Sequence, residues 1–289
     1  MKIISPIYAF VRKLLPWQVG YIIDVTRIKG HVPHLLCPKD YSDYIFRDNF
    51  WGNHNKRAFL ADKYLVRDYV KERGLEHTLT KLYGVWEDAS NIDFNSLPDG
   101  FALKCNHSCG TNIICRHKSE LNQQEAISVL NGWLNHEHEI KFEQHYRYIK
   151  PLIICEELIP FNTDGTFPID YKIHCANGKP IYIQCCFERT ENSAGLRKIY
   201  DCEWNDLHYV VEDYHYSEEQ IPRPKHLKEM LEYASILSKG LEYARIDFYD
   251  TENRVIFGEV TLTPMGGLLS YFTQDALDCM GNAIRENNR

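Results

Sequence analysis

Residues 243–264, near the carboxyl end of the chain, constrain the fold more than any other stretch. Apolar residues at positions 244, 246 and 248 alternate with polar ones that include Arg245 and Asp247, so one side is apolar and the other carries charge. The residues Asp-Thr-Glu-Asn at 250–253 favour a turn, and an apolar run follows them. The stretch therefore predicts a β-hairpin.

The charged face of this hairpin has the composition of a metal site. Asp247 and Glu259 fall on its two strands, and Thr261 follows on the same face as Glu259. Two carboxylates and a hydroxyl form an all-oxygen ligand set that suits Mg²⁺. Arg245 shares the face of Asp247, and an arginine beside a bound metal can stabilise charge on a transferring phosphoryl or acyl group. The alternative is an ordinary hairpin whose polar face is solvated.

A second informative stretch is residues 101–115. A strand that contains Lys104 leads into a short polar loop with Gly110, and the chain returns as a second strand. Such a loop can present backbone N–H groups to phosphate oxygens, with Lys104 as a point charge. The stretch lacks the Gly-Lys-Ser/Thr end of a P-loop, and a simple hairpin turn explains it equally well.

Three further stretches predict secondary structure near these two. Residues 61–74 predict one continuous helix that ends at a glycine. Residues 151–160 are apolar without period-two alternation, which is typical of a strand covered on both faces. Residues 170–186 predict a hairpin that turns at Asn177-Gly178, with Asp170 and Lys172 on one strand face.

The polar residues 188–204 contain Arg189, Arg197 and Lys198, and we interpret this segment as a mobile loop near the site.

Composition narrows the class of protein. Hydrophobic residues make up 44% and charged residues 25% of the 289 residues, which are ordinary globular values. The net charge of −7 argues against a nucleic acid as the main partner.

Location is predicted from two features. The ten cysteines show no disulfide framework and no signal peptide is evident, which favours a reducing cytoplasm. Residues 1–16 carry apolar residues at helical spacing beside Lys2, Arg12 and Lys13. They could bind peripherally at the inner face of the membrane or dock onto the rest of the protein.

Taken in order, these motifs resemble the ATP-grasp superfamily, and most closely its TupA-like branch, named for teichuronopeptide synthesis. The resemblance covers roughly residues 55–270 and is carried by residues 61–67, 97–107, 170–175 and 257–264. It implies an α+β fold in which two α+β subdomains clamp ATP. We expect a helical or mixed extension at 1–57, an N-terminal subdomain with the phosphate-loop hairpin at 58–150, and a C-terminal subdomain with the adenine hinge and metal site at 151–289.

The resemblance also implies residue roles. The 106–112 loop would close over ATP as a lid. Glu156 would contact the adenine beside the backbone of the next two residues, Asp170 would bind the ribose, and Lys172 would lie near the phosphates. The implied nucleotide-binding residues are Lys104, Asn106, His107, Ser108, Gly110, Glu156, Glu157, Leu158, Asp170 and Lys172. The implied metal ligands are Asp247, Glu259 and Thr261, and the implied catalytic residues are Arg245 and Lys172. Thr261 departs from the family, where asparagine is common, and the region before residue 62 matches no family pattern.

The implied activity is an ATP- and Mg²⁺-dependent carboxylate–amine ligase that works through an acyl phosphate. The implied acceptor is a uronic acid of a capsular or surface polysaccharide, or of its nucleotide-linked or lipid-linked precursor, and the amine is an amino acid or another small amine. A glycosyltransferase would need an Asp-x-Asp motif, whereas Asp247 is followed by Phe248 and Tyr249. A non-catalytic nucleotide- or glycan-binding protein would be expected to have lost Lys104, Asp247 or Glu259, and all three are present.

Overall fold

The computed structural model describes residues 14–135, 142–191, 193–211 and 215–286. Residues 1–16, where apolar residues recur at helical spacing, therefore lie almost entirely outside the described residues. The helices are α1 (Trp17–Lys29), α2 (Tyr41–Trp51), α3 (His54–Ala61), α4 (Val66–Glu72), α5 (Gln123–Leu134), α6 (Leu227–Ser238) and α7 (Gln274–Glu286). The strands are β1 (Leu82–Trp86), β2 (Phe101–Cys105), β3 (Asn112–Cys115), β4 (Ile153–Glu157), β5 (Asp170–Ala176), β6 (Lys179–Phe187), β7 (Leu196–Tyr200), β8 (Tyr243–Asp250) and β9 (Val255–Thr261).

The first sheet has four antiparallel strands in the order β1-β4-β2-β3. Its central strand β4 comes from the apolar stretch predicted at 151–160, and that strand prediction is confirmed. Ile153 and Cys155 are fully buried in a core that also includes Ala126 and Leu130 of α5. Packing against a helix stabilises a sheet of this size, because its apolar face is removed from water.

The second sheet has five antiparallel strands in the order β7-β6-β5-β8-β9. One face is apolar and packs against α4 and α6. The opposite face is divided. At one end His174 and Tyr182 lie in aromatic contact with Tyr41 of α2 and with Phe272, which precedes α7. At the other end the face carries the charged residues of β5 and β8, which form the floor of a cleft between the sheets.

Two hairpin predictions are confirmed, because their turn chemistry is local. Asn177 and Gly178 both have positive φ, 51° and 80°, as a two-residue type I′ turn requires. The β8–β9 hairpin has Asp247 directly opposite Glu259, with a bulge after Asp247. The alternation of β8 therefore sorts its apolar residues to one face and its charged residues to the other.

Two other predictions are wrong. The helix predicted at 61–74 is broken, since α3 ends at Ala61 and α4 begins at Val66. The Asp62 carboxylate accepts hydrogen bonds from the N–H groups of Tyr64 (2.8 Å) and Leu65 (3.2 Å), so it caps a new turn instead of continuing the first helix. Residues 188–204 are also not one loop, because they contain β7, which pairs with β6.

The predicted boundary at residue 151 assigns β4 to the C-terminal subdomain, whereas the hydrogen bonds of β4 place it in the four-stranded sheet. We therefore propose a boundary after Glu157. The segment from Leu60 to Leu79 packs on the apolar face of the five-stranded sheet, although it precedes the four-stranded sheet in sequence.

All ten cysteines are free thiols. None of the helices in the described ranges has the length and apolarity that crossing a bilayer requires.

Candidate active site

A cleft of about 460 Å³ separates the two sheets, and both sheets contribute to its walls. Its floor is the charged end of β5, β8 and β9, and its roof includes the loop between β2 and β3. A smaller pocket of about 180 Å³ adjoins it and shares Lys104, Asn112 and Tyr249 with it. The walls of this second pocket include the apolar residues Ile114, Leu158, Ile159, Phe161, Phe167 and Pro168. The two cavities together offer an apolar compartment followed by a charged one.

The centre of the cleft floor is an ionic network around Arg245. Its guanidinium donates to both oxygens of Asp247, at 2.7 and 2.8 Å, and also to Glu259 Oε1. Thr261 Oγ1 donates to the same Glu259 oxygen at 2.8 Å. The Lys172 ammonium bridges Asp247 (2.5 Å) and Asp170 (2.6 Å). Asp247 is only 2% exposed, so the solvated hairpin face considered as an alternative is excluded.

The two carboxylates of this network respond differently to their surroundings. Burial raises the pKa of Asp247 to about 6, against the opposing effect of Arg245 and Lys172. Burial acts in the same direction on Glu259, but Arg245, Lys172 and Lys63 outweigh it and bring its pKa down to about 2. The Glu259 side chain is 41% exposed, and it therefore presents a permanent negative charge to the cleft.

The donor set fits Mg²⁺ bound together with phosphate oxygens. Among the described residues, no group of three or more His, Cys, Asp or Glu side chains could hold a metal by itself. Mg²⁺ is commonly held by one or two carboxylates and completes its shell with waters and substrate phosphates. Asp247 and Glu259, with the Thr261 hydroxyl beside them, match that requirement. Their role as ligands stays a prediction.

Lys104 and Glu156 face each other at the opposite wall of the cleft. The Glu156 carboxylate accepts from Lys104 at 2.8 Å and from Arg67 at 2.7 Å, with Thr80 Oγ1 at 3.1 Å. Burial would raise the pKa of Glu156, but Lys104 and Arg67 lower it below its usual value. Both oxygens of Glu156 are thus already bonded to cations. In this arrangement Glu156 positions Lys104 and Arg67, and its contact with the adenine stays a prediction.

The loop between β2 and β3 contributes to the cleft with its second half only. Cys109, Gly110 and Thr111 line the cleft, whereas the predicted Asn106, His107 and Ser108 are not among its lining residues and are buried. Asn106 Nδ2 donates to Asp62 Oδ1 (2.9 Å) and to the carbonyl of residue 150 (3.0 Å), and Oδ1 accepts from the N–H of residue 152 (2.8 Å). The Asn106 side chain therefore ties the loop to its neighbours and is not available to phosphate.

We expect Asn106→Ala to lower the free energy of unfolding by about 3 kcal/mol, because it leaves several buried groups without partners. The midpoint of urea unfolding measures this loss. ATP affinity of the folded fraction should stay within about threefold of the original, since the side chain does not reach the cleft. A variant of unchanged stability that no longer binds ATP would contradict this assignment and restore the phosphate-binding role.

Of the other predicted nucleotide-binding residues, Glu157 and Leu158 line the smaller pocket, whereas Asp170 and Lys172 lie on the floor of the cleft. Asp170 is 5% exposed: its Oδ2 pairs with Lys172 and Arg189, and its Oδ1 has no hydrogen-bond partner among the described residues. The Leu158 side chain forms part of the apolar wall of the smaller pocket. The Glu157 side chain pairs instead with Arg254 (3.3 Å), and its N–H bonds to the carbonyl of residue 81. The arrangement fits a nucleoside whose base enters the apolar pocket and whose ribose reaches Asp170.

Four cleft cations were not assigned roles from the sequence. Lys63, Arg67, Arg189 and Arg197 all line the cleft. The motif at residues 61–67 included the first two, but their side chains are directed to the cleft by the helix break at Asp62, which the sequence pattern did not reveal. Burial lowers the pKa of Lys63, whose ammonium donates to the carbonyl of Ser108. Arg189 lies 3.4 Å from Asp170.

Comparison with known proteins agrees with this architecture. The model of the TupA-like ATP-grasp family matches residues 45–285, and the chain belongs to that family. ATP-grasp enzymes bind ATP and join a carboxylate to an amine, so the chain is an ATP-dependent carboxylate–amine ligase. A comparison with the curated proteins gives no significant match.

Solved structures with similar folds are distant. D-alanine–D-alanine ligase from Bacillus anthracis is 17% identical over 79% of this chain and 67% of its own, with a TM-score of 0.48. Phosphoribosylamine–glycine ligase from Thermotoga maritima is 10% identical over 73% and 50%, with a TM-score of 0.46. D-cycloserine synthetase DcsG is 12% identical over 81% and 72%, also with a TM-score of 0.46. Similarities at this level carry no argument about substrate.

Proposed function

We propose that the enzyme activates the carboxylate of a uronic acid with ATP and joins it to an amino acid or another small amine. The uronic acid would belong to a surface polysaccharide or its precursor, as the resemblance to the TupA-like branch implies. The observation that carries the chemistry is the network in which Arg245 bridges Asp247 and Glu259 while Lys172 binds Asp247. It concentrates two carboxylates and two fixed cations at the cleft floor.

The chemistry follows from the charges of these groups. A carboxylate is a poor electrophile, and its oxygen must attack the γ-phosphorus of ATP to gain a phosphate leaving group. Arg245 and Lys172 are already oriented by buried carboxylates, so they can stabilise the charge of phosphoryl transfer and of the tetrahedral intermediate without reorganising. Mg²⁺ bound at Asp247 and Glu259 would neutralise phosphate charge.

The remaining residues bind and orient the nucleotide. The apolar pocket around Leu158 and Phe167 receives the base, and Asp170, on the adjoining cleft floor, accepts from a ribose hydroxyl. Lys104, held by Glu156, and Lys63 provide positive charge to the phosphates from the roof of the cleft. Closure of the loop that contains Gly110, whose φ is 75°, would exclude water from the acyl phosphate.

Release of ADP tests this proposal. We would measure Mg²⁺-dependent ADP and phosphate release with pooled uronic-acid sugar nucleotides and pooled amino acids, each pool alone and both together. Turnover only with both pools is the expected result, and dividing the pools would then identify the substrates. Release of UDP or another nucleoside diphosphate without added ATP would contradict the proposal and favour glycosyl transfer. Turnover with the amino acids alone would exclude a uronic acid acceptor.

A further inference from the structure

On the side away from β9, a side arm of the cleft lies over the edge strand β7 and its neighbour β6. Cys186, Ala194 and Arg197 line this side arm. Arg197 lies opposite Cys186, which lies opposite Asp170, so the three form one row across the sheet. The apolar pocket adjoins the cleft at Lys104, Arg189 and Tyr249. With the base in the apolar pocket and the phosphates beside Lys104 and Lys172, as proposed above, the side arm is the part of the cleft left for a second substrate.

Arg197 and Lys63 differ from the other cations of the cleft in their charge balance, and the Lys63 ammonium donates to the carbonyl of Ser108. Arg67, Lys104, Lys172, Arg189 and Arg245 each pair with a carboxylate. In the part of the chain that the structure describes, Arg197 forms no such ion pair. Its neighbour Cys186 offers no compensation, because burial raises the pKa of that thiol and keeps it neutral.

The Arg197 side chain is nevertheless held in place. Its guanidinium lies over the ring of Tyr271, 5.5 Å from the centroid. That ring is buried, and its hydroxyl lies 3.4 Å from Gln184 Oε1. The Arg197 backbone N–H donates to the carbonyl of His215 at 2.7 Å. An arginine stacked on a fixed aromatic face keeps its N–H edges available for bidentate binding of a carboxylate or phosphate.

The position of Arg197 shows which anion it can bind. The reacting carboxylate must lie beside Asp247 on β8, and β7 is three strand spacings away, about 14 Å. After allowing for the reach of the side chain, an anion on Arg197 lies on the order of 10 Å from the reacting centre. The amine and carboxylate of an α-amino acid share one carbon and cannot span that gap.

We propose that Arg197 binds a second anionic group of the acceptor, a carboxylate or phosphate remote from the carboxylate that reacts. This inference rests on the proposed function and narrows the acceptor to a molecule with at least two separated negative charges. Two sources have this chemistry: a neighbouring acidic residue of an oligosaccharide, or the phosphate of an activated sugar.

Equilibrium binding separates these sources without requiring turnover. The probes are galacturonic acid, galacturonic acid 1-phosphate and a trimer of galacturonic acid, titrated in the presence of Mg²⁺ and a non-hydrolysable ATP analogue. We expect one of the last two to bind at least about tenfold more tightly than the monosaccharide, because a hydrogen bond to a charged partner contributes at least about that factor to affinity. A preference for the 1-phosphate identifies an activated sugar as the source, and a preference for the trimer identifies an oligosaccharide.

Arg197→Gln should abolish this preference and leave binding of the ATP analogue unchanged. Arg197→Lys should retain part of it, and Arg223→Gln, which removes the same charge at an exposed position away from the cleft, should retain all of it. A preference that survives Arg197→Gln, the absence of any preference, or an equal loss of nucleotide binding would overturn the inference. Arg197-dependent binding without ADP release in the pooled assay would instead contradict the proposed ligase reaction. It would still support anion binding by Arg197.

Discussion

Asp247→Asn is expected to lower kcat by more than about 100-fold, since even residues that only orient a metal ligand contribute 10- to 100-fold. The substitution preserves the shape of the side chain but removes the negative charge that Arg245 and Lys172 share. It also removes one of the two carboxylates available to Mg²⁺. Steady-state ADP release at saturating ATP and acceptor measures the effect.

Asp250→Asn is the matched control for this variant. Asp250 lies on the same strand with a side chain only 9% exposed, and it pairs with His226 outside the cleft. Its substitution should leave kcat within about threefold while weakening a buried side-chain hydrogen bond of the same strand. Equal losses in both variants would show that the effect at Asp247 reflects damage to β8 rather than chemistry.

Arg245→Gln should lower kcat by about 10²- to 10³-fold, the usual cost of removing one preorganised donor to a transition-state charge. The same change should lower the free energy of unfolding by about 3 kcal/mol, because it breaks a buried ion pair. The loss stays at the low end of the range for such pairs, since Lys172 still neutralises Asp247 and Glu259 is partly exposed. Kinetics and urea unfolding measure the two effects separately.

Arg245→Lys distinguishes charge from geometry at this position. A lysine retains the positive charge but lacks the planar guanidinium whose N–H groups bind Asp247 and Glu259 together. We expect most of the stability to return and kcat to remain at least about tenfold below that of the unchanged enzyme. Full recovery of kcat would mean that only the charge of Arg245 is needed, and an unaffected kcat in Arg245→Gln would remove this residue from the reaction.

The parts of the molecule that the sequence predicts well are those that depend on neighbouring residues. The β8–β9 hairpin follows from alternation and a polar turn, and its pairing brings Asp247 opposite Glu259 as expected. The Asn177-Gly178 turn is equally local, because only its two residues need positive φ. The expected family and fold follow from the order of such local motifs and are confirmed.

The features that the sequence does not predict depend on contacts between distant residues. Asp62 ends a helix partly because Asn106, 44 positions later, bonds to its carboxylate. Glu156 has the polarity of a ligand contact, but Arg67, 89 positions earlier, and Lys104 occupy its oxygens. Asn106 itself is polar and in a loop, and its burial depends on partners that no periodicity reveals. The roles of the individual site residues stay predictions.

The transfer of an oxygen atom tests the central claim most directly. The acceptor carboxylate would be labelled with ¹⁸O, and the phosphate released during amide formation would be analysed by mass spectrometry. Attack of the carboxylate on the γ-phosphorus predicts one ¹⁸O in each phosphate, together with ADP and an amide that retains the other labelled oxygen. Unlabelled phosphate, or release of AMP and pyrophosphate, would contradict an acyl phosphate at this site.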